Sequence, residues 1–216
     1  MYDLHTHTVF SDGCLIPSEL VQRYAAAGYH GVVLTDHIDA SNMDIVIPQL
    51  VKFCSETNEC WENISVLPGC ELTHLPPETI ASMIKKARSL GAKVVIVHGE
   101  TIVEPVAAGT NCAAIEGGAD ILAHPGLINE EEMELAAQKG VYLEITSRHG
   151  HSFSNGHIVS LAQKYNAKLV YSSDCHSPAD ILSRDAVMRV LHGAGLGVAH
   201  ANNVLGNTKD LFKHRL

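Results

Sequence analysis

The hydrophobic and polar positions along the chain alternate between amphipathic segments and short, fully apolar runs. The apolar runs are rich in β-branched residues and show no polar alternation, as in residues 93–97 and 31–35. Strands of this kind are buried on both faces, which is typical of a parallel sheet covered by helices. Most of the runs follow a segment with helical character, and several of those segments end at a glycine, as at Gly28, Gly91 and Gly140. The pattern therefore predicts an α/β fold.

The repeat of helix and strand continues along most of the chain. The predicted strands cover residues 2–8, 31–35, 63–68, 93–97, 119–123, 141–143 and 168–171. The predicted helices cover residues 17–27, 44–60, 85–90, 111–116, 130–139 and 157–165, and residues 200–216 are expected to form a packing helix or tail. No linker interrupts the pattern, so we expect a single domain over residues 1–216.

Acidic residues and histidines stand at the C-terminal ends of the predicted strands. A barrel gathers the C-terminal ends of all its strands in one mouth, whereas an open sheet gathers side chains only where its strand order reverses. Because seven strands contribute such residues, the pattern favours a closed or nearly closed TIM-like (β/α)7 barrel.

The first strand carries a pair of histidines with chelating geometry. Side chains alternate along a strand, so His5 and His7 are expected to face the same side. The same argument places Asp174 and His176 together and turns Cys175 toward the helices. Neighbours in a strand cannot both face the pocket, so in the pair at 36–37 we interpret the histidine as the ligand and the aspartate as an orienting group.

These residues form a set of candidate metal ligands without thiolates. The set is His5, His7, Asp12, His37, Glu71, His98, His124, Asp174 and His176. Imidazole nitrogen and carboxylate oxygen together suit Zn²⁺, Mn²⁺ or Fe and argue against a finger-type zinc site. Nine ligands exceed the capacity of one tetrahedral ion, which indicates two or three divalent ions.

Composition limits the partners and the compartment. The formal net charge of −9 opposes binding to long nucleic acids or to anionic membranes, and no apolar run approaches the length of a membrane span. Bound cations could still attract a small anionic substrate. The six cysteines contain no C-x-x-C pair, and the first chelating strand begins at the initiator methionine. We therefore expect a cytoplasmic protein without a cleaved leader.

The ordered motifs of the chain resemble those of the PHP (polymerase and histidinol phosphatase) family over residues 2–178. They are His5-x-His7, Ser11-Asp12-Gly13, Thr35-Asp36-His37, Gly69-x-Glu71, Val97-His98, Ala123-His124-Pro125 and Ser173-Asp174-x-His176. The resemblance implies a distorted seven-stranded barrel that holds three metal ions and hydrolyses phosphoesters. The first ion would bind His5, His7, Glu71 and Asp174; the second Glu71, His98 and His124; the third Asp12, His37 and His176.

The substrate expected from this reading is a small phosphomonoester, such as a histidinol-phosphate-like compound or a sugar or nucleotide phosphate. A metal-activated water would attack the phosphorus. Asp36, Arg148 and His151 are the candidate catalytic residues, and Arg148, His149 and His74 the candidate substrate contacts. The role of Glu144 stays open between a second acid behind the ligands and a partner of Arg148.

Three other functions remain possible at this point. A phosphodiesterase or exonuclease acting on short nucleotides would use the same centre. A C–N hydrolase of the amidohydrolase type also begins with H-x-H but does not normally need His37, Glu71 and the Asp174–His176 pair together. A non-catalytic metal-binding protein would not be expected to keep the whole ligand set. The sequence does not determine the oligomeric state.

Overall fold

The computed structural model describes residues 1–216 as an α/β barrel with helices outside. The strands are β1 (Tyr2–Asp3), β2 (Gly31–Leu34), β3 (His37–Ile38), β4 (Ser65–Leu72), β5 (Val94–His98), β6 (Ile121–Ala123), β7 (Tyr142–Thr146) and β8 (Leu169–Ser172). The helices are α1 (Pro17–Ala26), α2 (Met43–Asn58), α3 (Pro77–Ser89), α4 (Thr110–Gly117), α5 (Glu130–Lys139), α6 (Asn155–Tyr165), α7 (Arg184–Gly193) and α8 (Val198–Arg215). None of these helices is both long and apolar enough to cross a membrane.

The strands form a nearly closed barrel with seven strand positions, as the sequence predicts. Their order is β1-β2-β4-β5-β6-β7-β8, and every pair is parallel. The short β3 follows β2 after a two-residue interruption and pairs with the far end of β4. A parallel bridge between Thr6 and Cys175 brings together the segments that follow β1 and β8.

Several strand boundaries differ from the sequence expectation, two of them by four residues or more. The first strand ends at Asp3, and the residues after it bond to their neighbours individually, as when His7 N donates to Cys175 O at 2.8 Å. The strand expected to end at Pro68 continues to Leu72. It does so because β4 pairs with β2 up to Pro68, while β3 and β5 supply partners beyond it. Glu71 therefore lies within a strand rather than after one.

Local sequence signals account for several helix ends. The Asn129 side chain accepts from the Glu132 amide and the Glu132 carboxylate accepts from the Asn129 amide, so a reciprocal cap begins α5. The same helix ends at Gly140, whose φ of 72° is a left-handed conformation that suits glycine. Pro17 and Pro77 occupy the first turns of α1 and α3, where a missing N–H costs nothing.

The C-terminal helix α8 closes the N-terminal end of the barrel. The barrel interior is filled by Leu4, Val33, Leu67, Val94, Ile96, Ile121, Ala123 and Val170, together with Leu211 and Phe212 from α8. A Cβ atom on Gly31 would lie 2.5 Å from the Phe212 ring, so only glycine admits this ring at the start of β2. Arg215 and Arg88 both pair with the carboxylate of Asp120, which fixes the end of α8 to the barrel. The C-terminal segment that the sequence predicts as a packing helix or tail is thus a helix that fills the N-terminal end of the barrel.

Candidate metal centre

The predicted ligands come together at the opposite, C-terminal end of the barrel. Their positions are His5 and His7 after β1, Asp12 in the turn that follows, His37 in β3, Glu71 in β4, His98 at the end of β5, His124 after β6, and Asp174 and His176 after β8. Asp12 is exposed, His37 and His176 are half-buried, and the other six are buried.

The first group surrounds a point between His5, His7, Glu71 and Asp174. His5 Nε2 lies 3.3 Å from Glu71 Oε2, and His7 Nε2 lies 3.1 Å from Asp174 Oδ1. Zinc–nitrogen and zinc–oxygen bonds of roughly 2.0–2.2 Å place neighbouring ligands of a tetrahedral ion about 3.3–3.6 Å apart, and those of an octahedral ion slightly closer. The donor atoms of this group therefore have the spacing of a coordination shell.

The other carboxylate oxygen of Glu71 faces a second group of candidate ligands. Glu71 Oε1 lies 3.5 Å from His124 Nε2, while Glu71 Oε2 faces His5 and His7. One ligand nitrogen from each of His98, His124 and His151 falls within 4.8 Å of the others. The glutamate is thus placed to bridge two neighbouring sites.

A third group lies closest to solvent. Asp12 Oδ1 is 3.4 Å from His37 Nε2 and 3.2 Å from His176 Nε2. His7 Nδ1 faces the same oxygen at 3.9 Å. The side chain of Asp12 is 57% exposed, so this group is the one that an ion could reach most directly.

Hydrogen bonds to the second ring nitrogen orient several of the histidines. His5 Nδ1 lies 2.8 Å from Glu144 Oε1, His176 Nδ1 lies 2.9 Å from the Asp174 carbonyl, and His98 Nδ1 lies 3.1 Å from the Gly99 carbonyl. In each ring the Nε2 atom is left facing the pocket. Metal-binding histidines are typically held in this way.

Buried atoms without partners test whether these residues suit a metal. Six buried side-chain nitrogen or oxygen atoms lack a hydrogen bond, and five of them belong to His5, His7, Glu71 and His124. Leaving such groups unpaired is costly, so native proteins rarely bury them without a partner. Both ring nitrogens of His7 and the Oε1 atom of Glu71 are buried without a hydrogen bond, and they face atoms of other candidate ligands. This donor set fits divalent cations.

The pKa shifts indicate the ionisation states of three central ligands, His7, Glu71 and Asp174. Burial lowers the pKa of His7 to about 3, so the ring is neutral near pH 7. Burial alone would raise the pKa values of Glu71 and Asp174, but the neighbouring imidazoles, His5 above all, hold both well below their usual range. Neutral imidazole and ionised carboxylate are the forms that bind metal.

The predicted aspartate–histidine pair at 36–37 separates as expected, with the aspartate turned away from the cage. Asp36 accepts hydrogen bonds from Thr8 N at 2.8 Å and from Ser11 Oγ at 2.8 Å. It thereby fixes the turn that carries Asp12 and contacts no ligand atom through a hydrogen bond. Its role, as an orienting group or as a catalytic residue, stays a prediction.

The other predicted site residues lie at different depths. Arg148 lines the pocket, with Nη1 3.6 Å from Asp180 Oδ2, and His74 lines its rim. His151 is buried and its Nδ1 lies 2.7 Å from Thr101 Oγ1, which directs Nε2 inward. His149 is exposed with its ring centroid 5.9 Å from that of Phe153, and it does not line the pocket.

Glu144 is buried behind the ligands and does not contact Arg148. Its Oε1 accepts from Ser172 Oγ at 2.7 Å as well as facing His5, and its Oε2 accepts from the His124 amide at 3.1 Å. One carboxylate therefore supports two predicted ligands. The alternative of a Glu144–Arg148 pair is wrong, because the guanidinium pairs with Asp180.

An acidic residue that the sequence analysis did not single out lies among the candidate ligands. Glu104, in the loop after β5, lies within 3.0–3.4 Å of the Nε2 atoms of His98, His74 and His151. The only signal for it in the sequence is its position six residues after His98, in a loop whose course periodicity cannot predict.

Backbone strain also gathers at this end of the barrel. Four non-glycine residues have positive φ: His74 at 52°, His124 at 26°, Asn166 at 54° and Asp174 at 54°. Asn166 ends α6, where this conformation is ordinary. His124 and Asp174 are predicted ligands, and strained residues of this kind concentrate at functional sites.

Fold and site together define a class of protein: an α/β barrel whose C-terminal mouth holds a cage of imidazoles and carboxylates that could bind metal ions. The cage opens into a cavity of about 440 Å³ lined by 15 residues, of which one is hydrophobic. The PHP domain profile matches residues 3–167, and the chain belongs to this family.

Two relatives match nearly the whole chain. An uncharacterized protein of Methanocaldococcus jannaschii is 43% identical over 214 residues, which is 98% of this chain and 98% of the relative. Ribonuclease P protein component 3 of Methanosarcina acetivorans is 29% identical over 212 residues, which is 90% of this chain and 81% of the relative.

Two solved structures share the fold at low identity. A chain of archaeal ribonuclease P with mature tRNA has a TM-score of 0.74 and 17% identity, with 98% of this chain and 90% of that chain covered. Histidinol phosphate phosphatase of Lactococcus lactis, complexed with zinc, L-histidinol and phosphate, has a TM-score of 0.62 and 15% identity, with 91% and 94% covered.

Proposed function

We propose that this protein is a metal-dependent phosphoesterase that hydrolyses a small phosphomonoester at a centre of three divalent ions, and that one domain spanning residues 1–216 does so. The observation that carries the proposal is the position of Glu71, whose two oxygens face two separate groups of histidines while a third group adjoins the first through His7. Ions of Zn, Mn or Fe in such a cage would supply Lewis acidity that activates water and stabilises charge on phosphoryl oxygens.

The side chains around the cage are arranged to bind and orient a phosphate ester. Arg148 is the cation of the pocket wall other than histidine, and a guanidinium can hold two phosphate oxygens at once. Asp180 lies 3.6 Å from Arg148 and restrains its position. We propose that His151 moves a proton at its Nε2 atom, since Thr101 directs that atom into the pocket. His74 stands at the rim, where it would contact the leaving group.

The walls of the cavity favour a small, hydroxylated leaving group. Apart from Ile38, the lining residues are polar or charged, and they include no Phe, Tyr or Trp. A nucleobase would be expected to stack on such a ring. Asp39, Ser41 and Asn42 instead offer polar atoms at the outer wall. A volume of about 440 Å³ also suits a small molecule rather than a polymer.

The kinship with a ribonuclease P component supports one alternative. A relative that is 29% identical bears that name, so a phosphodiesterase or exonuclease acting on short nucleotides, or an RNA partner, is the second candidate. The net charge of −9 and the absence of Phe, Tyr and Trp from the pocket lining weigh against it. All six cysteines are free, and the cytoplasmic location expected from the sequence stays a prediction.

The test is hydrolysis by defined metal forms of the protein. The metal-free chain would be loaded with Zn²⁺, Mn²⁺ or Fe²⁺, its metal content measured by mass spectrometry, and phosphate release followed on a panel of monoesters and diesters. We expect near three ions per chain and turnover of monoesters, and loss of both in Glu71→Gln. Hydrolysis of diesters alone would support the second candidate, and no turnover on any ester would overturn the proposal.

A further inference from the structure

His74, His98 and Glu104 form a cluster at the rim that extends beyond the nine predicted ligands. Glu104 Oε2 lies 3.0 Å from His98 Nε2 and 3.2 Å from His74 Nε2. One ligand atom from each of the three residues falls within 4.8 Å of the others. We call these three residues the rim cluster. His98 belongs to both the rim cluster and the predicted site of the second ion.

The distances within the rim cluster are those of a coordination shell. With bonds of roughly 2.0–2.2 Å, adjacent ligands of one ion lie about 2.8–3.6 Å apart, depending on geometry. The separation of Glu104 Oε2 and His98 Nε2 falls within that range. His98 Nδ1 is held by the Gly99 carbonyl, so the lone pair of its Nε2 is the one available to an ion.

The other oxygen of Glu104 has its own contact inside the pocket. Oε1 lies 3.4 Å from His151 Nε2, so the carboxylate presents one oxygen to each side. Glu104 therefore lies between the two histidines that the second group contributes from β5 and from the loop after β7. A carboxylate in this position completes a set that otherwise contains Glu71 and imidazoles.

The backbone of His74 supplies an independent observation. Its φ of 52° is left-handed, as are those of His124 and Asp174, which are both predicted ligands. Histidine adopts this conformation uncommonly, and it persists where surrounding structure demands it. Here the conformation accompanies the contact of His74 Nε2 with Glu104 Oε2, which is also a hydrogen bond of 3.2 Å.

We propose that Glu104 is a further ligand of the second metal ion and that His74 is the residue that positions its carboxylate. The second ion would then bind Glu71, His98, His124 and Glu104. The side chain of Glu104 is 37% exposed, so the ligand lies on the path between solvent and the cage. This inference rests on the metal-dependent part of the proposed function and is independent of the substrate.

Metal affinity is the direct test. The metal-free wild type, Glu104→Gln and His74→Gln would be titrated with Co²⁺, and both the binding isotherm and the visible absorption of each bound ion would be recorded. We expect Glu104→Gln to lower the affinity for one ion by about 100-fold and to change the absorption band of that ion, while the other ions bind as in the wild type. His74→Gln should lower the affinity for the same ion by about tenfold, as the loss of a residue that supports a ligand typically does.

A matched variant separates this effect from a general loss of charge. Glu131→Gln makes the same chemical change on the exposed first turn of α5 and should bind all ions as the wild type does. Thermal melts of the metal-free variants would show that each one folds. Wild-type affinity and absorption in Glu104→Gln would overturn this inference alone, whereas a wild type that binds no metal would overturn the proposed function as well.

Discussion

The imidazole of His5 and the carboxylate of Glu144 form a buried hydrogen bond, with Nδ1 and Oε1 2.8 Å apart. Because Ser172 Oγ also donates to that oxygen, the carboxylate is the acceptor and His5 Nδ1 is the donor. This orients the ring of His5 so that its Nε2 atom faces Glu71. The Glu144 carboxylate therefore orients a predicted metal ligand.

Replacing Glu144 by Gln should weaken metal binding at the first site. The amide keeps the shape of the side chain but removes the charge that holds two ligands in place, so we expect a loss of about 10–100-fold in affinity. Isothermal titration with Zn²⁺ would measure it. Glu116→Gln, on the exposed face of α4, provides the control, and equal affinity in both variants would contradict the role given to Glu144.

Replacing Arg148 by Lys should affect substrate binding more than metal binding. The ammonium keeps the charge but cannot hold two phosphate oxygens in a fork, so we expect KM to rise about tenfold with metal content unchanged. Steady-state kinetics on the best monoester would show it. Arg189→Lys on the exposed side of α7 should leave KM as it is. An unchanged KM in Arg148→Lys would place this arginine outside the substrate site.

Metal binding should release protons and strengthen as the pH rises. Burial alone would lower the pKa values of His5 and His37, but the neighbouring carboxylates, chiefly Glu71, outweigh it; they raise the pKa of His37 to about 10 and that of His5 well above its ordinary value. Both rings are therefore protonated in the metal-free protein near pH 7. An ion can bind them only when those protons leave.

Calorimetry measures this release directly. The apparent binding enthalpy should change with the ionisation enthalpy of the buffer, with a slope that gives at least one proton released at pH 7. The apparent affinity should increase between pH 6 and pH 9. A slope of zero would mean that the imidazoles are already neutral before the metal arrives.

Replacing Asp3 by Asn should stabilise the metal-free protein near neutral pH. Burial raises the pKa of Asp3 from 3.8 to about 6, although Tyr24 and Ser173 donate hydrogen bonds to it. The folded state thus holds this proton more tightly than the unfolded chain, so the contribution of Asp3 to stability falls as the pH rises from about 4 through 6.

The sign of that dependence sets the test. Near pH 7.5 the buried charge imposes its full cost, so Asp3→Asn should raise the free energy of unfolding by up to about 3 kcal/mol, since one pKa unit corresponds to about 1.4 kcal/mol. The gain should shrink near pH 4.5. Urea unfolding with a chelator present would measure both values. A gain that does not depend on pH would show that the charge of Asp3 is not responsible.

The strand pattern was a good guide where residues lie in or beside regular strands. Glu71 faces the pocket while its neighbour Cys70 packs among the helices, as alternation predicts. The same signal was available for Glu144 in β7, because Leu143 and Ile145 on either side pack outward. The alternation of side chains along β7 therefore predicts that Glu144 faces the barrel interior, and this orientation argues against an ion pair with Arg148.

Residues outside the strands could not be placed by the same argument. β8 ends at Ser172, and Asp174 reaches the pocket through a left-handed backbone rather than through alternation. His149 and His151 are two apart in one loop, yet a 3-10 turn that begins at His151 directs only the second ring inward. Glu104 depends on the path of its loop. Tertiary contacts fix all of these positions, and no local pattern encodes them.

The packing of Phe212 and the rest of α8 against the N-terminal end of the barrel limits how molecules can reach the interior. Because α8 packs against the lower end of the barrel, the interior has no opening there, so in the proposed function the ions, the ester and the products would all pass through the C-terminal mouth. A phosphate ion left behind after hydrolysis would therefore stand in the way of the next molecule to arrive. The rate at which phosphate leaves through the mouth, rather than bond cleavage alone, would then limit the turnover of the proposed enzyme.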